Sequence, residues 1–484
     1  MQPHRQEEEQ QLIFYVASRG HHTDIGGIGI TSMVPDSKFL WQEGLSVRSM
    51  RIVHGGVFDE AGVRQAFADV VGYGPGCSAT RRLDDNVSDL KAQMAANQRG
   101  IVLLQAMCRE AGVPRVQRYM YGIQATAELA VRELFRRIAE ERGAKESLSP
   151  SSPSPSHSSS SAPSSPPAVP AAPVVLRATD YYDDGTPITL AITIAKDPTT
   201  DQYSATFDFT GTGPQTLGNM NCPPSITHSA VIYALRCLIN LSIPLNQGCL
   251  APVRIVLPRG TILNPTAGVA VCGSTIASQR VTDVILRAFG ACAASQGCAN
   301  SFGWGAGGRD AITGVVTRGW NYGEALGGGS GAGRGWAGAD AVQVHSTNTK
   351  TTDVEVIEKR TPVVVRRYAV RTGTGGRGRW GGGEGVVRDV EARVGLRFSI
   401  LSERRVYSPY GMEGGGDGSV GKNYWVRRGE GGTGEEEWIS LGGKAVVDVA
   451  PGERVVICTP GGGGWGAPLE DAAGLGDVRP LPTQ

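Results

Sequence analysis

The chain has no run of about 18 apolar residues of the kind a bilayer-crossing helix needs. Its opening stretch, Met-Gln-Pro-His-Arg-Gln-Glu-Glu-Glu-Gln-Gln, has no apolar core of the kind that marks a secretory leader. Neither sign of charge dominates, since 47 Lys and Arg stand against 46 Asp and Glu for a net charge of +1. That balance gives no electrostatic case for nucleic acid or an anionic membrane surface as a partner. No two of the nine cysteines form a CxxC pair; they scatter from Cys77 to Cys458, mostly in apolar surroundings. Zinc knuckles and a disulfide framework are therefore not expected, and a reduced, cytoplasmic setting is. A GxxxxGK(S/T) phosphate loop is also missing, and neither Gly327–Gly331 nor Gly461–Gly464 has its spacing.

Glycine is what the chain has in excess: 68 residues, crowded after position 300 and about twice the usual share. They do not recur every third residue with proline, so collagen is excluded. Lying between strand-like segments, the runs are expected to form tight turns. In Thr459-Pro-Gly-Gly-Gly-Gly-Trp465-Gly466 the run is expected to let two backbones approach closely.

With 484 residues the chain has room for two or three cores. Ser147 to Pro173 is nearly all serine, proline and alanine, too poor in apolar surface to offset its ordering entropy. It is read as a disordered insert over 146–174 that marks a boundary, and His157 within it is discounted as a ligand. The remaining divisions are 1–145, 175–300 and 301–484.

Periodicity supplies the elements. Leu12 to Ala17 reads as a buried strand ending at a pair of histidines. Val87, Leu90, Met94, Ile101, Leu104 and Met107 recur near 3.6 residues, as do Tyr119, Met120, Ile123, Ala127, Val131, Leu134 and Ile138, which predicts a long antiparallel helical pair. Asn86, Asp89, Gln93, Asn97 and Gln98 make a polar stripe on the first helix, either solvated or facing a cleft. Pro187–Ala195 and Tyr203–Phe209 alternate as a hairpin, and segments near 254, 363, 385, 397, 444 and 453 read as further strands. The fold class is α+β: mixed sheets with a long helical pair, followed by a glycine-rich, mainly-β C-terminal region.

One stretch carries candidate chemistry. Ser18-Arg-Gly-His21-His22-Thr-Asp24-Ile-Gly26-Gly27 puts two imidazoles and a carboxylate beside turn-permitting glycines. Those are the groups a divalent metal or a general-base site uses; the plainer alternative is histidines hydrogen-bonded to loop carbonyls. Glu43 reads as a solvated loop acid, His228 as a satisfied core or cap histidine, and Asp283 with Arg287 as an ion pair one helical turn apart.

Taken in order, SRGHHTDIGG (18–27), PGCSATRRLDDNVSDLKAQMAANQRG (75–100), FDFTGTGPQTLGNMNCP (207–223), PLNQGCLAPV (244–253), SQRVTDVILRAFGACAASQGC (278–298), STNTKTTDVEVIEKRTPVVVRRY (346–368), LSERR (401–405) and TPGGGGWG (459–466) resemble the B-type subunit of hydantoinases and oxoprolinases. That type corresponds to the C-terminal part of eukaryotic 5-oxoprolinase and is related to the α subunit of acetone carboxylase. The resemblance implies that an A-type subunit or domain uses ATP to phosphorylate a cyclic amide, while the B-type half completes the ring opening, in 5-oxoprolinase to glutamate. ATP is then handled by the partner rather than by this chain. N-methylhydantoinase-like or acetone-carboxylase-like chemistry is an alternative, as is a truncated, non-catalytic homologue that keeps a scaffold or partner-binding role.

The resemblance also implies a divalent metal held by an upstream His-x-x-Asp and by the histidine that falls on His21. His22 and Asp24 are neighbours by position, so His21, His22 and Asp24 are the metal candidates, and His22, Asp24 and His345 the catalytic ones. The sequence begins just short of His21 and does not contain the upstream motif, so one side of such a site is expected to be missing. Gln343 stands where the family usually has a second histidine, with His345, Asn348 and Thr349 close by. A small-molecule substrate and an oligomeric assembly are expected.

Overall fold

The computed structural model describes residues 12–147, 172–309, 313–345, 347–428 and 435–469. Most of the serine and proline insert, His157 included, lies outside the described residues. Helices, antiparallel sheets and one mixed sheet give the α+β fold expected from the sequence.

Near the start, β1 (Val53–His54) and β2 (Val57–Phe58) pair across Gly55 and Gly56. Those glycines have φ of +55° and +84°, the left-handed values that a two-residue hairpin turn demands. Asp59 then caps α1 (Glu60–Asp69) by accepting from the Gly62 amide at 2.9 Å. Next come α2 (Leu83–Ala111) and α3 (Val113–Ser147), separated by Gly112 at φ +80°. The apolar face expected of the pair is buried only in part. Val87, Val131 and Leu134 are buried, but Ile101, Met107, Tyr119 and Ile123 are exposed. Both segments are helical, and burial follows only where another element stands opposite, as it does for the Ala127–Phe135 part of α3.

Leu12 to Ala17 is not a strand. It runs without regular structure along α2, with Ser18 Oγ donating to the Gln93 carbonyl at 3.2 Å and Tyr15 86% exposed. An apolar run becomes a buried strand only if other strands pair with it, and among the described residues none does.

In the middle region β3 (Val174–Tyr181), β4 (Pro187–Lys196), β5 (Tyr203–Asp208) and β6 (Val253–Val256) form one sheet in that order, antiparallel except for the parallel β5–β6 pair. Alternate residues of β4, namely Ile188, Leu190, Ile192 and Ile194, are buried in a core shared with α3, α4 (Pro224–Ile239) and α5 (Ser274–Phe289).

The C-terminal region contributes β7 (Ser301–Arg309), β8 (Val316–Ala325), α6 (Val354–Arg360), β9 (Val363–Arg371), β10 (Gly385–Ala392), β11 (Leu396–Leu401), β12 (Lys422–Arg428), β13 (Glu436–Ser440), β14 (Lys444–Val449) and β15 (Arg454–Cys458). One sheet has the order β14-β11-β7-β8 and the other β13-β12-β15-β10-β9. Phe302, Trp304 and Phe398 from the first meet Val390, Val455 and Ile457 from the second in a common core, which makes the pair a sandwich.

The glycine runs are for the most part not turns. Gly376 N donates to Gly462 O at 2.8 Å, Gly462 N to Gly383 O at 2.8 Å and Gly383 N to Ser330 O at 2.9 Å, so separate runs are stitched backbone to backbone. A Cβ added at Gly462 would lie 2.0 Å from the Ser330 carbonyl oxygen. The close approach expected for Gly461–Gly464 is present, and the same packing extends to the other runs. No described helix is long and apolar enough to cross a membrane.

Candidate functional site

The His-His-x-Asp stretch is fixed through its carboxylate. Asp24 is 1% exposed; its Oδ1 accepts from Gly26 N at 2.8 Å and its Oδ2 from Arg81 N at 2.9 Å and an Arg81 guanidinium nitrogen at 3.2 Å. Its carbonyl accepts from Thr80 and from Asn86, the latter at 3.0 Å. Gly26 and Gly27, at φ +84° and +91°, carry the chain so close to its neighbours that a Cβ on Gly27 would sit 2.4 Å from the Gln42 carbonyl oxygen. The loop that follows lies on the β7–β8 sheet, where Asn321 donates to the Ile30 carbonyl at 2.9 Å.

This arrangement leaves His21 and His22 at a cavity of about 330 Å³. Its lining includes Ser301 and Gly303 of β7, Glu324 of β8, and Thr349, Lys350 and Thr352. His22 is the better held of the two histidines: its Nδ1 lies 3.0 Å from Asp89 Oδ2, and Phe67 meets its ring edge-on. A carboxylate at Nδ1 favours the proton there, which leaves Nε2 as the acceptor. The polar stripe on α2 packs in part against the histidine stretch, with Asn86 on the Asp24 carbonyl and Asp89 on His22, and none of its residues is among those lining the cavity.

Glu324 went unnoticed in the sequence, where it is one acid inside a glycine-flanked strand. Its side chain is 5% exposed and takes Arg388 at 3.1 Å and the Tyr322 hydroxyl at 3.1 Å. Burial pushes its carboxyl above the ordinary 4.5, against the pull of Arg388. Gln343 donates to the carbonyl of Ala325, a residue of the cavity lining, at 2.8 Å.

His345 is not among the residues lining this cavity. Its Nε2 lies 2.7 Å from Asp283 Oδ1, its backbone has φ +55°, and Tyr233 packs against its ring. Asp283 does not pair with Arg287; its other oxygen takes Arg404 at 3.2 Å, while Arg287 donates to the Thr179 carbonyl at 2.9 Å. Buried charges were drawn to partners across the core rather than along one helix. Glu43 is likewise not solvated: it is 7% exposed and accepts from Ser37 at 2.9 Å and from the Val271 and Cys272 amides. His228 is satisfied within its own helix, with Nδ1 2.8 Å from the Pro224 carbonyl one turn back.

The structure thus brings His21 and His22 to one cavity, gives Asp24 to Arg81, and places His345 in a separate buried network. A divalent metal does not fit this set: among the described residues no three His, Cys, Asp or Glu side chains are grouped so as to hold one, and both Asp24 oxygens are already occupied. A larger cleft of about 770 Å³ is lined by Arg81, Arg82, Asp84, Asp85 and Trp320. It contains no histidine, and its three arginines, Arg81, Arg82 and Arg318, outnumber its two acids.

An oriented imidazole at a cavity of this size is equipment for proton transfer on a small molecule. Comparison with known proteins narrows the class. The sequence profile described as Hydantoinase B/oxoprolinase matches residues 1–468, and the chain belongs to that family. It is 57% identical over 463 residues to 5-oxoprolinase PfmaA of Pestalotiopsis fici, covering 96% of this chain and 33% of that protein. It is 44% identical to 5-oxoprolinase 1 of Arabidopsis thaliana, over 95% of this chain and 33% of the relative. The chain thus spans about a third of the length of the curated relatives it matches. The crystal structure of ATP-dependent caprolactamase from Pseudomonas jessenii shares the fold with a TM-score of 0.70 at 20% identity, over 93% of this chain and 71% of that one.

Proposed function

We propose that this chain is the B-type part of an ATP-dependent cyclic-amide hydrolase that converts 5-oxo-L-proline, ATP and water to L-glutamate, ADP and phosphate. The observation that carries the reading is 57% identity to a 5-oxoprolinase over nearly the whole chain. ATP is used by an A-type half, in keeping with relatives three times as long and with the lack of a phosphate-loop motif here. The setting is the cytoplasm, which suits the free thiols of all nine cysteines.

An unactivated lactam resists water because its nitrogen is a poor leaving group and its carbonyl carbon a weak electrophile. Phosphorylation of the carbonyl oxygen by the A-type half lifts the second obstacle. His22, with Nε2 free because Asp89 holds Nδ1, takes a proton from the water that adds to the ring carbon. His21 stands at the same cavity to hydrogen-bond the water or the carbonyl oxygen. As the C–N bond breaks, the ring nitrogen takes up the proton that His22 removed from the water, and the acyl phosphate left at the former carbonyl carbon is hydrolysed by a second water to L-glutamate and inorganic phosphate. Asp24 and His345 act as positioning residues, the first by fixing the histidine loop through Arg81 and the second by anchoring the segment that leads to Thr349.

The test combines the purified chain with the ATP-binding two-thirds of the Pestalotiopsis relative, 5-oxo-L-proline and ATP, and measures glutamate and phosphate. Turnover that His22→Gln abolishes supports the reading. No turnover beside an active full-length control overturns it in favour of a non-catalytic homologue.

A further inference from the structure

We propose that Lys350 makes the cavity selective for cyclic amides that carry a carboxylate. The inference rests on the cavity reading above and adds the substrate feature that the cavity reads. Three other residues with ionisable side chains line this space, His21, His22 and Glu324; Glu324 is paired with Arg388 at 3.1 Å and His22 is tied to Asp89 at 3.0 Å. Lys350 lines the same cavity from an exposed segment, and among the described residues no carboxylate lies within ion-pair distance of it. An ammonium without a counter-charge at the rim of a small cavity attracts an anionic substituent, the more so as the ring displaces water. Thr349 and Thr352 flank it along the chain and line the cavity too, which offers hydroxyl donors to the second carboxylate oxygen.

The geometry of a five-membered lactam suits this division. In this placement the ring amide lies beside His21 and His22, and the carboxylate on the ring carbon next to the nitrogen lies at Lys350. A neutral lactam of the same size fills the same space without that anchor.

Calorimetric titration of the chain with 5-oxo-L-proline and with neutral 2-pyrrolidinone separates the possibilities. The expected result is an affinity at least about tenfold higher for the acid, weakening with added salt. Lys350→Met removes that preference and leaves 2-pyrrolidinone binding unchanged, whereas Lys350→Arg retains most of it. Preference surviving in Lys350→Met overturns the proposal, as does loss of both ligands, since Lys350 would then shape the cavity rather than read charge. Equal binding of the two ligands by the unaltered chain refutes the role of Lys350 alone. Binding of neither refutes the cavity reading on which it rests.

Discussion

A histidine becomes a useful base when something decides which nitrogen carries its proton, and for His22 that is Asp89, one side of a contact joining residues 67 positions apart. Asp89→Asn keeps the size of the partner but can present an N–H to Nδ1, which moves the ring proton to Nε2 and removes the acceptor from the cavity. In the assembled enzyme the expected outcome is a fall in kcat of at least about tenfold with KM little changed. Glutamate release over a substrate series checks it; an unaltered kcat would mean that His22 does not act as the base. Because Asp89 is half exposed, folding stability should shift by less than about 1 kcal/mol. At this scale the sequence was legible in the histidines and opaque in Asp24. The motif lists a carboxylate beside two imidazoles, but not the Arg81 guanidinium that claims it from 57 residues away.

Elements built from glycine are held by different physics from elements built from side chains. Between the β sheets, peptide groups of several runs pack directly on one another, and no side chain fits between Gly462 and Ser330. Gly462→Ala should therefore cost several kcal/mol, about 3–5, or prevent folding. Gly395 offers the control: nothing lies within 4 Å of its added Cβ, so Gly395→Ala should change stability by no more than about 1 kcal/mol. Urea unfolding of the two variants tests the contrast, and similar midpoints would show that the runs do not bear on stability. The strands with alternating apolar residues, β4 and β5 above all, were readable because period two is a local property. β7 and β8 escaped because Gly303, Gly305, Gly319 and Gly323 interrupt their apolar pattern, and the Thr31 side chain lies over the space a Cβ at Gly303 would take. Leu12–Ala17 differs in the opposite direction, since its composition suggests a strand and no strand among the described residues pairs with it.

Across the whole molecule the middle and C-terminal regions are joined by buried charge. Arg280 of α5 takes Asp180 at 3.1 Å and Glu403 at 3.3 Å, while Arg404 takes Asp180 at 2.8 Å and Asp283 at 3.2 Å. Such a network contributes more to fixing one arrangement of the regions than to net stability, because each ion has also lost its water. Its weak point is Glu403, whose carboxyl burial pushes up to about 7 from an ordinary 4.5, with Arg280 opposing the shift and Asp183 adding to it. A carboxyl that titrates higher in the fold than in the unfolded chain binds its proton more tightly when folded. Its contribution is full below pH 4.5 and is lost as pH rises to about 7, a change of about 3 kcal/mol. Asp180, held below the ordinary 3.8 by Arg404 and Arg280 against its burial, exerts its pH effect below this window and does not mask it. Glu403→Gln mimics the protonated form at every pH. The variant should therefore gain stability relative to the unaltered chain between pH 5 and pH 8, measured as the difference in urea midpoints at each pH. A difference that stays constant across that range would mean that Glu403 is ionised in the fold throughout, and that Arg280 outweighs the cost of burying it.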